Sequence, residues 1–200
     1  MKKIISLFQR NYETDKLVRD EVVSGAEWVL NGEGIATRKF DGTCCMIQNG
    51  KFYKRYELKM NKKIPENFIA AQDPDPVTGD IPGWLPVTCK PEDRYHKEAF
   101  DNLNYAVELT GAPYNKDGTY ELCGPKIQKN PEGFLAHVLI PHGNTILSDC
   151  PRTFYELKSY LHDKSIEGVV WHHPDGRMVK IKTRDFGLRR PVVAHLGEAT

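Results

Sequence analysis

Lys180 and Lys182 stand two residues apart in Met178-Val179-Lys180-Ile181-Lys182. On a strand, residues i and i+2 share a face, so this spacing presents two ammonium groups to one anion. The alternative is a solvated edge strand. Lys39-Phe40-Asp41-Gly42 lies between two stretches of strand character. By itself it is a surface turn carrying a lysine, and its meaning depends on what accompanies it. Six basic residues against one acid occupy 51–63, six against one occupy 177–190, and 66–80 holds four acids and no base. Each run alone reads as a solvated face, but two basic blocks distant in sequence can converge on one polyanion. His172 and His173 are neighbours, so on a strand they diverge and cannot chelate one metal. His96, His142, His162 and His195 read as surface or satisfied core residues. P-loop, H-E-x-x-H, G-x-S-x-G and G-x-G-x-x-G patterns are absent.

The elements that must position these residues are mostly strands. Glu27–Leu30, Ile35–Arg38, Thr43–Gln48 and Lys51–Tyr56 read as strands, with Asn49-Gly50 as a two-residue hairpin turn. The run from Asp73 to Gly83, rich in Pro, Asp and Gly, reads as a long surface loop. Lys97–Leu109 and Arg152–Asp163 show helical spacing, the second placing Phe154, Leu157 and Leu161 on one face. Thr119–Cys123, Phe134–Ile140, Gly168–Trp171 and Met178–Ile181 read as strands, the last pair joined at Asp175-Gly176. The fold class expected is α+β, with antiparallel β-sheets and flanking helices, in a single domain over 1–200.

A chain of 200 residues can bury a sizeable core. Its formal net charge of +1 excludes a polyelectrolyte that coats nucleic acid non-specifically. No run of apolar residues is long enough for a membrane span, and Gln9-Arg10 cuts short the signal-like start. Five cysteines with no C-x-x-C spacing suit neither a disulfide framework nor a zinc ribbon. An intracellular, cytoplasmic-type reducing compartment is the expectation.

Several further pieces follow Lys39-Phe40-Asp41-Gly42 in order: Arg55, Tyr120-Glu121-Leu122-Cys123-Gly124-Pro125, Leu135 to Ile140, Glu167-Gly168-Val169-Val170 and Lys180-Ile181-Lys182. This series resembles the covalent nucleotidyltransferase superfamily of ATP-dependent RNA and DNA ligases and mRNA capping enzymes. With Thr43-Cys44-Cys45, Ile81-Pro82-Gly83-Trp84, Leu139-Ile140-Pro141-His142-Gly143 and Trp171-His172 added, it is similar to the small 5′–3′ RNA ligases related to the human and giant-virus enzymes. Only 18 residues follow Lys182, so the expectation is a ligase-type adenylation domain without an appended OB-fold.

The resemblance implies Lys39 as the nucleophile that forms a lysyl-AMP intermediate. It implies Glu121 on the ribose, Glu167 near Mg²⁺ (directly or through water), and Lys180 and Lys182 on the phosphates. Arg38, Asp41, Gly42 and Arg55 complete the expected ATP and AMP contacts, with His137 where relatives stack an aromatic ring on adenine. ATP and Mg²⁺ are the implied cofactors, with Mn²⁺ able to substitute. Lys59, Lys62, Lys63 and Arg184 are expected to track RNA. The partners are then RNA ends bearing a 5′-phosphate and a 3′-hydroxyl, with no obligate protein partner and no membrane. A DNA ligase core, a GTP-dependent capping guanylyltransferase and an inactive nucleotide- or RNA-binding module are the competing readings.

Overall fold

Alternating β-branched and polar residues become short ladders spaced along the chain, as the computed structural model shows for residues 1–110 and 117–190. His195 lies outside the described residues. In order, the elements begin with β1 (Ile5–Ser6), β2 (Phe8–Arg10), β3 (Val18–Val22), α1 (Glu27–Leu30) and β4 (Ile35–Lys39). There follow β5 (Thr43–Gln48), β6 (Lys51–Leu58), β7 (Ile69–Ala70), β8 (Ile81–Pro86) and α2 (Arg94–Thr110). The chain continues with β9 (Gly118–Cys123), β10 (Val138–Pro141), α3 (Phe154–Asp163), β11 (Gly168–His172) and β12 (Met178–Lys182). The fold is α+β, and its ladders are antiparallel except for the short parallel pairing of β1 with β12.

Two compact units divide these elements. One comprises Met1–Lys3 and Gly42–His142. It holds a six-stranded sheet in the order β10-β9-β5-β6-β8-β7. Asn49 (φ 50°) and Gly50 (φ 70°) close the β5–β6 hairpin with the two left-handed residues that a type I′ turn requires. One face of this sheet carries Cys45, Ile47, Phe52, Tyr120 and Leu122, packed with Ala99 and Leu103 of α2. Behind it, Asp93 is 1% exposed and ion-paired to Lys54, and it also accepts hydrogen bonds from the Thr88 amide and hydroxyl at 2.8 Å. Those partners satisfy the buried carboxylate.

The other unit runs from Ile4 to Asp41 and resumes at Gly143. Its four-stranded sheet has the order β1-β12-β11-β4, with β2 and β3 forming a separate pair. Ala36, Val169, Trp171, Val179 and Ile181 face a core closed by α3, whose Leu157 and Leu161 are fully buried. Phe154 meets the Phe8 and Phe186 rings at 5.1 Å, as the helical spacing predicts.

Three segments depart from the sequence-based expectation. Glu27–Leu30 is a turn of helix, where a strand was expected. Four residues are too few to show a period, and long-range contacts decide: Trp28 and Val29 are both buried in one core, which strand alternation would forbid. Arg152 then binds the carbonyls of Val29 (2.9 Å), Glu33 (2.5 Å) and Gly34 (2.9 Å). The expected loop ends early, because Ile81-Pro82-Gly83 begins β8. Pro82 is tolerated there since its carbonyl only needs to accept, from Ala71 N–H at 2.9 Å. The strand expected from Phe134 starts only at Val138. Asn130 exchanges side-chain bonds with the Phe134 backbone (3.0 and 3.1 Å), offering this segment a local alternative to the ladder.

Candidate active site

Strand register assembles the lysines in the four-stranded unit. Gly168 of β11 is opposite Lys182 of β12 on one side and Lys39 of β4 on the other. Val170 is likewise opposite Lys180 and Thr37. Directly opposed residues share a face, so Lys39, Lys180 and Lys182 project from one side of the sheet. Gly168 leaves no side chain between two of them, and a Cβ there would run into the Ile181 carbonyl. The residue before it, Glu167, fills the space with a carboxylate. Its Oε2 receives Lys39 Nζ at 2.5 Å, and its Oε1 binds Lys182 Nζ.

The cluster is substantially buried, and its electrostatics follow from that. Burial would raise the Glu167 pKa, but Lys39 and Lys182 together overcome it and hold the carboxyl below its ordinary range. Among the described residues no carboxylate is ion-paired to Lys180, and Glu167 and Asp185 only partly offset its burial. Burial first, then Lys182 and Lys39, press its pKa down to about 8. Burial lifts the Asp41 carboxyl, Glu167 adds to the rise, and Lys39, Lys182 and Arg190 oppose it. Arg38 alternates to the other face of β4 from Lys39, over the Phe40 ring at 4.5 Å. Asp185 anchors the end of β12, accepting from Lys182 N–H at 3.1 Å and from Arg10 at 2.6 Å. Arg184, next to it, is exposed.

The six-stranded unit assembles a second group. Glu121 of β9 pairs with Cys44 of β5, and Arg55 of β6 with Trp84 of β8. Lys54 pairs with Cys45, so Arg55 falls on the Cys44 side of the sheet. Glu121 and Arg55, 66 residues apart in sequence, therefore occupy one face, opposite the core. Arg55 packs over Trp84 at 5.0 Å and donates to the Met1 carbonyl at 2.7 Å. Glu121 Oε1 accepts the Gly42 N–H at 3.0 Å. Gly42 has a φ that is not left-handed. It is a glycine because a Cβ would strike the Leu122 carbonyl, and this close approach brings its N–H to Glu121.

His137 is not presented with this group. Its ring is 4% exposed and stacks on Tyr95 at 4.6 Å. Its Nε2 accepts weakly from Lys126 N–H at 3.4 Å, while Nδ1 is close to Glu98, at 2.8 Å, without hydrogen-bond alignment. Lys59, Lys62 and Lys63 are exposed beyond β6, and Lys59 is held by Glu57 and Asp80, each at 2.8 Å. One residue the sequence reading passed over joins the second group: His142 Nε2 lies 2.9 Å from Glu121 Oε2. The sequence carries it within Leu139-Ile140-Pro141-His142-Gly143 but assigns it no role, because its place beside Glu121 depends on the β9–β10 register.

Among the described residues, no group of three or more His, Cys, Asp or Glu could cage a metal ion. No helix among them is long and apolar enough to cross a membrane. A family model described as RNA ligase 1 matches residues 102–198. The chain is 26% identical over 239 residues to RNA ligase 1 of Danio rerio, covering 82% of this chain and 74% of that protein. It is also 26% identical over 252 residues to RNA ligase 1 of Mus musculus, covering 92% and 76% respectively.

Proposed function

Proceeding from an RNA ligase-like family, which those matches support, we propose that the protein is an ATP-dependent RNA ligase acting through Lys39. The single observation that carries the reading is the cluster in which Glu167 bridges Lys39 and Lys182, with Lys180 on the same face. Unprotonated Lys39 Nζ attacks the α-phosphorus of ATP. The N–P bond forms as the bond to pyrophosphate breaks. A free lysine has a pKa of roughly 10.4, so an amine nucleophile near neutral pH must have its ammonium disfavoured. Lys180 and Lys182 on the same face oppose the charge on Lys39, while the Glu167 carboxylate at 2.5 Å favours it, so release of the proton requires that carboxylate to be drawn to another cation.

The lysines also neutralise the phosphates as charge develops on them. AMP next passes to a 5′-phosphate oxygen with cleavage of the N–P bond, and a 3′-hydroxyl then displaces AMP to join the RNA ends. Glu121 accepts from a ribose hydroxyl, with its carboxylate already oriented by Gly42. Glu167, directly or through water, would hold Mg²⁺ or Mn²⁺, which shares its remaining positions with phosphate and water. When bound, such an ion supplies further neutralisation of phosphate charge.

Intact mass after incubation with ATP and Mg²⁺ tests the proposal. One AMP adduct is expected on the wild type and none on Lys39→Ala, with GTP giving no adduct. An adduct persisting on Lys39→Ala moves the nucleophile elsewhere. Equal labelling by GTP points to capping chemistry, and no adduct from either nucleotide points to a binding module.

A further inference from the structure

His142 takes part in none of these steps, yet every polar atom of its ring is engaged. Its backbone N–H bonds the Thr119 carbonyl at 3.1 Å, continuing the β9–β10 ladder by one residue. That register sets the ring beside Thr119 and diagonal to Glu121, within reach of both. Nδ1 lies 2.9 Å from Thr119 Oγ1, and Nε2 lies 2.9 Å from Glu121 Oε2. A carboxylate only accepts, so Nε2 carries the hydrogen. A neutral ring then leaves Nδ1 to accept the Thr119 hydroxyl proton. With Gly42 N–H on Oε1, both oxygens of the 7%-exposed Glu121 are tied, one to the chain before β5 and one to the residue after β10.

We propose that His142 is a positioning residue whose Nε2–H fixes the Glu121 carboxylate, and that this sets a preference for nucleotides with intact ribose hydroxyls. The inference rests on the reading of Glu121 as the ribose acceptor. Each tied oxygen keeps a further lone pair in a defined direction, ready for a hydroxyl. A deoxy sugar leaves that lone pair unpaired in a half-dry site, which costs affinity. Without His142 the carboxylate is free to turn toward water, and the hydroxyl's advantage shrinks.

Equilibrium binding of ATP, 2′-deoxy-ATP and 3′-deoxy-ATP to the wild type, His142→Ala and His142→Gln tests this without requiring turnover. AMP labelling of the wild type is measured in parallel. The wild type should favour ATP over at least one deoxy analogue by about tenfold, the scale of one unpaired polar group. His142→Ala should bind all three within about twofold of one another. His142→Gln, which keeps an N–H donor, should recover most of the preference, as a merely structural loss would not. A wild-type ratio retained in His142→Ala, or no ratio in the wild type, overturns the positioning role. Discrimination lost in His142→Ala while the wild type takes no AMP label would uphold that role and sink the ligase reading. A wild type that binds no ATP sinks both.

Discussion

Burial, then the ammonium groups of Lys182 and Lys39, press the Lys180 pKa down to about 8. A pKa below its unfolded value means that the unfolded chain binds more protons between about 8 and 10.4. Stability therefore rises with pH through that window, and below it the charged lysine opposes folding in full. Lys180→Met keeps the aliphatic stem and removes the charge. It should raise the thermal midpoint at pH 7 by the equivalent of about 1 kcal/mol. The gain should fade as the pH rises from about 8 to about 10.4, and be gone once the unfolded lysine is neutral as well. The same variant should slow adenylation by about 10²-fold, the scale of one lost transition-state donor. Thermal unfolding across pH and single-turnover labelling check the two halves. An unchanged midpoint together with normal labelling would make Lys180 a solvated edge residue. Stability given up at a site is expected where cations must be held together before their anion arrives.

At the scale of elements, the lysine cluster depends on one glycine in β11. Gly168 is opposite both Lys39 and Lys182, and its missing Cβ lets the neighbouring strand's backbone approach. Gly168→Ala should cost about 2–3 kcal/mol, because the obstruction is the Ile181 carbonyl and backbone cannot step aside cheaply. Gly50→Ala is the useful contrast. Nothing lies within 4 Å of a Cβ there, and only its φ of 70° opposes the change. That strain costs about 1–2 kcal/mol and should leave labelling intact. Urea midpoints of the two variants, read beside AMP labelling, separate a backbone that builds the site from one that only closes a hairpin. Equal midpoints, with both variants labelling normally, would remove Gly168 from the account.

At the scale of the whole molecule, a net charge of +1 means that attraction for RNA must be local. Each phosphate neutralised on a single strand adds about 0.7 to the slope of log affinity against log salt. Few contacts therefore predict a shallow slope, about 2–4. The three lysines after β6 should not contribute equally. Lys59 is already spent on Glu57 and Asp80, whereas Lys62 and Lys63 are exposed beside it. Replacing Lys62 and Lys63 together with alanine should lower the slope by about 1 or more, and Lys59→Ala by less. Fluorescence anisotropy with a short 5′-phosphorylated RNA, titrated at several salt concentrations, reads both. A larger effect from Lys59→Ala would mean that its carboxylate partners release it to RNA.

Local order was legible in the residues themselves. Asn49-Gly50 specifies a turn because both positions need positive φ, and Phe154, Leu157 and Leu161 specify a helical face because a helix repeats every 3.6 residues. The pairing of Lys180 with Lys182 on one face follows from the period of a strand. Lys39, Glu121 and Glu167 were legible only as members of an ordered series of short motifs, since nothing in each motif alone tells it from a surface turn. What brings them into working groups is strand register. Gly168 beside two lysines, Arg55 on the face of Glu121, and His142 diagonal to that carboxylate all follow from pairings between strands distant in the chain. A one-residue slip would move each side chain to the opposite face, and that register is set by burial across the whole sheet rather than by neighbouring residues. The same long-range burial turned Glu27–Leu30 into helix, because a four-residue segment carries no period and Trp28 and Val29 had to enter one core.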